Sequence, residues 1–152
     1  MTLITVMVAL LIFAFGMLSV ASIYSMAVPA VTNNENATDS AALGNQFWAL
    51  LQADSSLVGA LLNAGSGAAV SYTSGSTGSI AALQPWLANV FTNSTTELPN
   101  ATVTITPGPD AQGNACTAGV SCGVTLQIQW NPGSASNTST ARSQTFNYEV
   151  GF

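Results

Sequence analysis

The sequence predicts an α+β protein in which a long apolar N-terminal helix precedes a small globular domain of short helices and an antiparallel sheet of about three to four strands. Three observations carry this. Residues 1–28 contain no charged side chain, no Asn, Gln or His, and no Pro. Apolar residues then recur at helical spacing as far as Phe91. From residue 102 the hydrophobic period drops to two, the signature of half-buried strands.

As a helix, residues 1–28 would measure roughly 42 Å at about 1.5 Å per residue, against a bilayer core of about 30 Å. The segment is therefore long enough to span a membrane. Ser19, Ser22 and Ser25 recur every third residue with Gly16 one turn earlier. Small residues in a row let helices approach closely in an apolar medium, although each serine is equally well explained by a bond to the carbonyl one turn back. Pro29 lacks the amide hydrogen that a helix needs and is expected to mark a kink or an end.

Residues 29–38 read as a polar neck, with residues 39–152 as the globular domain. Thr38 or Asp39 is placed to cap a helix bearing Leu43, Phe47, Leu50 and Leu51. A break is expected near Asp54, where Asp54-Ser55-Ser56 offers a fresh cap for Leu57, Val58, Leu61 and Leu62, closed by Gly65. A Gly/Ser/Thr loop follows, with room for a short strand at 68–72. Pro85 suits the first turn of a helix running to Phe91, and Trp86 is expected to pack on the sheet. Three strands then follow. Val103 and Ile105 mark the first, Val124, Leu126, Ile128 and Trp130 the second, and Phe146, Tyr148 and Val150 the last.

Composition narrows the function. The chain has 152 residues, one Lys or Arg, no His, six acidic residues and a net charge of −5. With one cation it has no means of neutralising a nucleic-acid backbone or of docking on anionic lipid through a basic patch. Without His, nucleophile pairs of the Ser–His or Cys–His type are excluded, and no phosphate loop or dinucleotide fingerprint occurs. An enzyme is not expected, nor is any cofactor. Cys116 and Cys122 flank a short loop with a central Gly119, and in an exported domain a disulfide is the expectation; two thiols without His do not make a zinc site. Four Asn-x-Ser/Thr sequons start at Asn36, Asn93, Asn100 and Asn137, about the number that this Asn-, Ser- and Thr-rich composition produces by chance.

The opening run Met1-Thr2-Leu3-Ile4-Thr5-Val6-Met7-Val8-Ala9-Leu10 resembles the mature N-terminus of type IV pilins, in which a [FM]-[TS]-L-[IL]-E-V pattern begins a long apolar helix. The order helix, Trp-x-x-x-Val, Leu-Pro, strand, cysteine loop, Val-x-Leu-x-Ile-x-Trp, loop and Gln-x-Phe is loosely similar to PilV-type minor pilins and to pseudopilins of type II secretion. The resemblance implies a filament subunit held in the inner membrane and then assembled into an extracellular pilus or periplasmic pseudopilus. It further implies a basic leader removed by a prepilin peptidase, N-methylation of Met1, and partners in other pilin subunits and the assembly machinery. Met1, Thr2, Thr5, Gly16 and Pro29 would then belong to the filament core, with residues 16–25 the place for local unwinding on assembly. Residues 131–143 and the cysteine loop would be contact regions on the filament surface. The departure is Thr5, where the family carries a glutamate that meets a neighbour's N-terminal amine. A single-span, membrane-anchored extracellular adhesin or receptor is the alternative.

Overall fold

The computed structural model describes residues 2–76, 78–133 and 140–151, and for Ser25, Met26, Val28 and Pro29 the backbone alone. Helix α1 (Leu3–Ala53) is followed by α2 (Ser56–Gly65), strand β1 (Val70–Thr73), a 3₁₀ turn (Ala81–Leu83), α3 (Gln84–Phe91), and strands β2 (Thr102–Gly108), β3 (Ser121–Trp130) and β4 (Arg142–Gly151). The four strands form one antiparallel sheet in the order β1-β2-β3-β4. This is the expected α+β layout, with β1 as the fourth strand. The chain divides into two compact units, Met1–Glu35 and Asn36–Phe152.

Pro29 does not end the helix, and residues 29–38 are helical rather than an irregular neck. A proline inside a helix costs about 3 kcal/mol. Helix formation is cooperative, however, and most of its stability comes from tertiary packing of one face. Asn36, Ser40 and Gly44 lie four residues apart, and Asn36 and Ser40 are buried, so packing begins well before the first large apolar residue. Thr38 and Asp39 accordingly sit inside α1 and cap nothing.

The break at Asp54 is present. The Asp54 carboxylate accepts the Ser56 amide at 3.0 Å and its hydroxyl at 2.6 Å, and the Asp54 carbonyl accepts the Leu57 amide. Those bonds, the side-chain one first, hold its pKa below the usual carboxylate value. At the other end of α2, Gly65 is the last helical residue, and Ser66 (φ 49°) and Gly67 (φ 82°) take the left-handed turn. The Gly67 amide reaches back to the Leu62 carbonyl at 2.9 Å, closing a Schellman-type end. Gly65 is required for a different reason: a Cβ there would lie 2.8 Å from a Val70 methyl.

The core lies between the helices and one face of the sheet. Leu43, Phe47 and Leu51 of α1, Leu57, Val58 and Leu61 of α2, and Leu87, Val90 and Phe91 of α3 are buried together with Val103, Ile105, Cys122, Val124, Leu126, Ile128, Trp130 and Val150. Sheet alternation puts Thr and Gln on the opposite face, where direct cross-strand partners bond through side chains. Ser71 meets Thr104 at 3.1 Å, and Thr125 donates to Asn147 at 3.0 Å. Trp86 is buried in this core and held to α1: its indole N–H donates to the Leu43 carbonyl at 2.9 Å and its ring lies 5.0 Å from that of Phe47.

Candidate functional site

The sequence places the candidate residues in the apolar part of α1 and in the cysteine loop. In α1, Leu3–Tyr24 forms 22 residues of mean hydropathy 2.7, none of them buried. By length and composition this segment is able to cross a membrane. Its large side chains are exposed, Leu3, Ile12, Phe15 and Leu18 each by more than half. Fully burying one such side chain is worth about 1.5–3 kcal/mol, so this surface belongs against lipid or protein rather than water.

Thr5 and Ser19 of the segment bond within their own helix. Thr5 donates its hydroxyl to the Thr2 carbonyl at 2.6 Å, and the Thr5 amide reaches the same oxygen at 3.0 Å. The two threonine hydroxyls lie 3.4 Å apart. The pair offers lone pairs to a donor but no negative charge. Ser19 donates to the Gly16 carbonyl at 2.7 Å, which is the self-satisfied arrangement. A Cβ placed on Gly16 would meet nothing within 4 Å. Gly16 forms the floor of a shallow apolar groove walled by Phe13, Met17, Val20, Ala21 and Tyr24. In this single chain residues 16–25 are helical. Met1 and the side chain of Pro29 lie outside the described residues.

Cys116 and Cys122 are at disulfide-bonding distance, with Cα atoms 4.2 Å apart. The loop they close rests on a residue that sequence reasoning passed over. Asp110 is only 7% exposed, and its carboxylate accepts the Gln112 amide at 3.0 Å, the Asn114 amide at 2.8 Å, the Asn114 side-chain amide at 3.0 Å and the Ser121 hydroxyl at 2.8 Å. These bonds, chiefly those from the Asn114 and Ser121 side chains, hold its pKa below the ordinary carboxylate value. The local signal was Pro109-Asp110 with Gly113 (φ 84°) three residues on, a turn pattern with an aspartate placed to bond ahead of itself.

A second feature is an aromatic seam between α1 and β4. Tyr148 stacks on Trp48 with ring centroids 5.3 Å apart and beside Phe146 at 6.2 Å. Its hydroxyl donates to the Gly44 carbonyl at 2.7 Å, and burial pushes its pKa up to about 12. Ser40 and Gln144 bond across the same seam. Of the proposed surface regions, residues 134–139 and the sequon at Asn137 lie outside the described residues. The sequon at Asn36 is buried, and Asn100 spends its side-chain amide on the carbonyls of Asn131 and Gly133.

Among the described residues, no group of three or more His, Cys, Asp or Glu side chains is arranged to hold a metal ion. Comparison with protein-family models, with curated proteins and with solved structures finds no match to this chain.

Proposed function

We propose that this chain is a structural subunit of a type IV pilus or related pseudopilus filament, held in the inner membrane by its apolar helix and assembled through it. The observation that supports the reading most is the 22-residue stretch Leu3–Tyr24, whose side chains are all uncovered in the single chain and whose Thr5 and Ser19 hydroxyls bond within the helix. Such a helix is at home both in lipid and in a bundle of its own kind. Transfer from one to the other gains little hydrophobic energy. Packing and small residues such as Gly16 would set the geometry, and an assembly ATPase, which the resemblance implies, would supply work. The globular unit would form the outer surface, serving contact and adhesion rather than catalysis.

Thr5 bears on the subunit's place. An N-terminal ammonium buried without a counter-charge is costly, and the Thr2–Thr5 pair supplies only hydroxyl oxygens. A subunit at the filament tip has no preceding neighbour whose amine needs a carboxylate, so Thr5 favours a minor or tip role over a bulk one. The same absence favours the second reading, a single-span anchored extracellular adhesin or receptor. Shearing surface filaments from native cells and probing them for this chain separates the readings. Presence as a trace component supports a tip subunit, and presence in bulk a major subunit. Confinement to the membrane fraction would leave only the anchored adhesin.

A further inference from the structure

Strand β2 ends at Gly108, and the chain then folds over the solvent face of the sheet. The register sets Gly108 opposite Gly123, Gly123 opposite Glu149, and Thr125 opposite Asn147. Their strand neighbours Val124, Leu126 and Val150 are buried in the core, so these five positions share the other face. A Cβ on Gly123 would strike the Pro109 carbonyl oxygen, which places the Pro109 peptide over Gly123 on that face. The Ala111 amide then reaches the Glu149 carboxylate at 3.4 Å. The result is a walled corner. Pro109, Asp110 and Ala111 stand on one side and Thr125, Asn147 and Glu149 on the other, around a pocket of about 440 Å³ that Gly108 and Gly123 line without a side chain. That volume is within the range of small-molecule sites.

The side chains here offer both kinds of hydrogen-bonding group. Asp110 is already spent on its own turn. Glu149 is exposed and receives only the long bond from Ala111, so most of its lone pairs are open to a donor. Asn147 accepts the Thr125 hydroxyl at 3.0 Å, which leaves its N–H groups to donate and the Thr125 oxygen to accept. An ammonium can only donate and a carboxylate or phosphate can only accept, whereas a sugar hydroxyl does both. Anions are disfavoured further, because Asp110 and Glu149 are the only charged residues lining the pocket. Arg142 lies seven residues away along β4 and on the core face, roughly 23 Å distant at about 3.3 Å per residue.

The sheet face beyond the pocket continues the same chemistry. Thr106 lies beside Thr125 in the register, and Thr104, Gln127 and Thr145 form the next row. Rows are about 6.6 Å apart and strands about 4.8 Å. Glu149 is the only charged side chain that the four strands place on this face. Successive units of a neutral sugar chain would therefore meet hydroxyls and carboxamides throughout.

We infer that the corner at residues 109–111 and the hydroxyl-rich sheet face beside it bind a neutral oligosaccharide, with Glu149 and Asn147 holding one terminal sugar. The inference stands for a filament subunit and for an anchored adhesin alike, because every residue it uses lies in the Asn36–Phe152 unit.

The test uses the full chain in a polyoxyethylene detergent, which has no sugar headgroup to compete. Saturation-transfer NMR is run with neutral trisaccharides of glucose, mannose and N-acetylglucosamine. A sialylated trisaccharide and 1,5-diaminopentane serve as anionic and cationic probes. At least one neutral trisaccharide should receive saturation, and its addition should shift the amides of Gly123, Thr125, Asn147 and Glu149. Binding should weaken about tenfold in Glu149→Gln and several-fold in Asn147→Ala, as expected for loss of one bond to a charged or a neutral group. Both residues are exposed, and circular dichroism checks that the fold is kept. Glu97→Gln, an exposed carboxylate outside the pocket, should bind like wild type. No saturation of any neutral sugar at about 10 mM would overturn the inference. So would binding of the diamine or the sialylated sugar alone, amide shifts elsewhere only, or binding that both pocket substitutions leave unchanged.

Discussion

Gly123 is the position where one added methyl group should cost most for its size. It lies on β3 opposite Gly108 and Glu149. A Cβ built there collides with the carbonyl oxygen of Pro109, and lies 3.2 Å from the Pro109 carbonyl carbon and 3.5 Å from the Gly108 oxygen. These are backbone atoms, so no rotamer change relieves the contact. The Pro109 carbonyl must move, and with it Asp110, whose carboxylate organises the following turn. Overpacking costs about 1–3 kcal/mol, and a disturbed buried hydrogen bond about 1 kcal/mol more. Against this, alanine restricts the unfolded chain and returns roughly 0.5–1 kcal/mol. The expected net cost of Gly123→Ala is therefore about 1–3.5 kcal/mol. Gly108→Ala is the internal control: its Cβ would meet nothing nearer than the Gly123 oxygen at 4.0 Å, and it should stay within about 0.5 kcal/mol of wild type. Urea unfolding of the full chain in non-ionic detergent gives both numbers by tryptophan fluorescence, because Trp48, Trp86 and Trp130 all belong to the 36–152 unit. Equal effects of the two substitutions, or a harmless Gly123→Ala, would refute the steric argument.

Asp110 predicts an acid-side loss of stability. A carboxyl whose folded pKa is depressed contributes fully above its unfolded value near 3.9 and loses that contribution as pH falls through the folded one. Urea midpoints should therefore drop more steeply below about pH 4 in wild type than in Asp110→Asn, which should be less stable at neutral pH. Tyr148 predicts the mirror image on the alkaline side. Its phenol is raised to about 12, so its contribution is intact below the unfolded value near 10 and is lost as pH rises through the folded value. Tyr148→Phe should remove part of that alkaline loss, and at neutral pH should cost about 1 kcal/mol for the bond to the Gly44 carbonyl. Intact mass without reductant should be lower than the reduced mass by the two thiol hydrogens of Cys116 and Cys122. Replacing both by serine should cost about 2 kcal/mol in the same urea assay.

What the sequence disclosed depended on how local the signal was. The strands were legible because alternation such as Val124, Leu126, Ile128 and Trp130 needs only a few residues to declare itself, and the same residues prove buried. The Asp54 break was legible because a carboxylate two residues before a serine amide is a local chemical device. The continuation of α1 through residues 29–38 was not. Pro29 is an obvious local penalty, whereas the compensating face is made of Asn36, Ser40 and Gly44, which resemble a polar linker in sequence. They are small because β4 comes close: a Cβ on Gly44 would lie 2.7 Å from the Phe146 ring. The Trp48–Tyr148 stack joins residues a hundred positions apart, and no periodicity reports such a pairing. In the candidate site, the apolar run and the cysteine pair were visible, while the Asp110 hub was hidden among residues that read simply as a loop.

The central claim, that the apolar helix is an assembly element, is tested most directly by a photo-cross-linking residue at Val20 in native cells. Val20 lines the Gly16 groove and is half exposed in the single chain. In sheared surface filaments, irradiation should join this chain covalently to a neighbouring subunit through the helix, giving discrete heavier species that contain it. Labelled chain found only in the membrane fraction, cross-linked to lipid and to no subunit, would contradict the account.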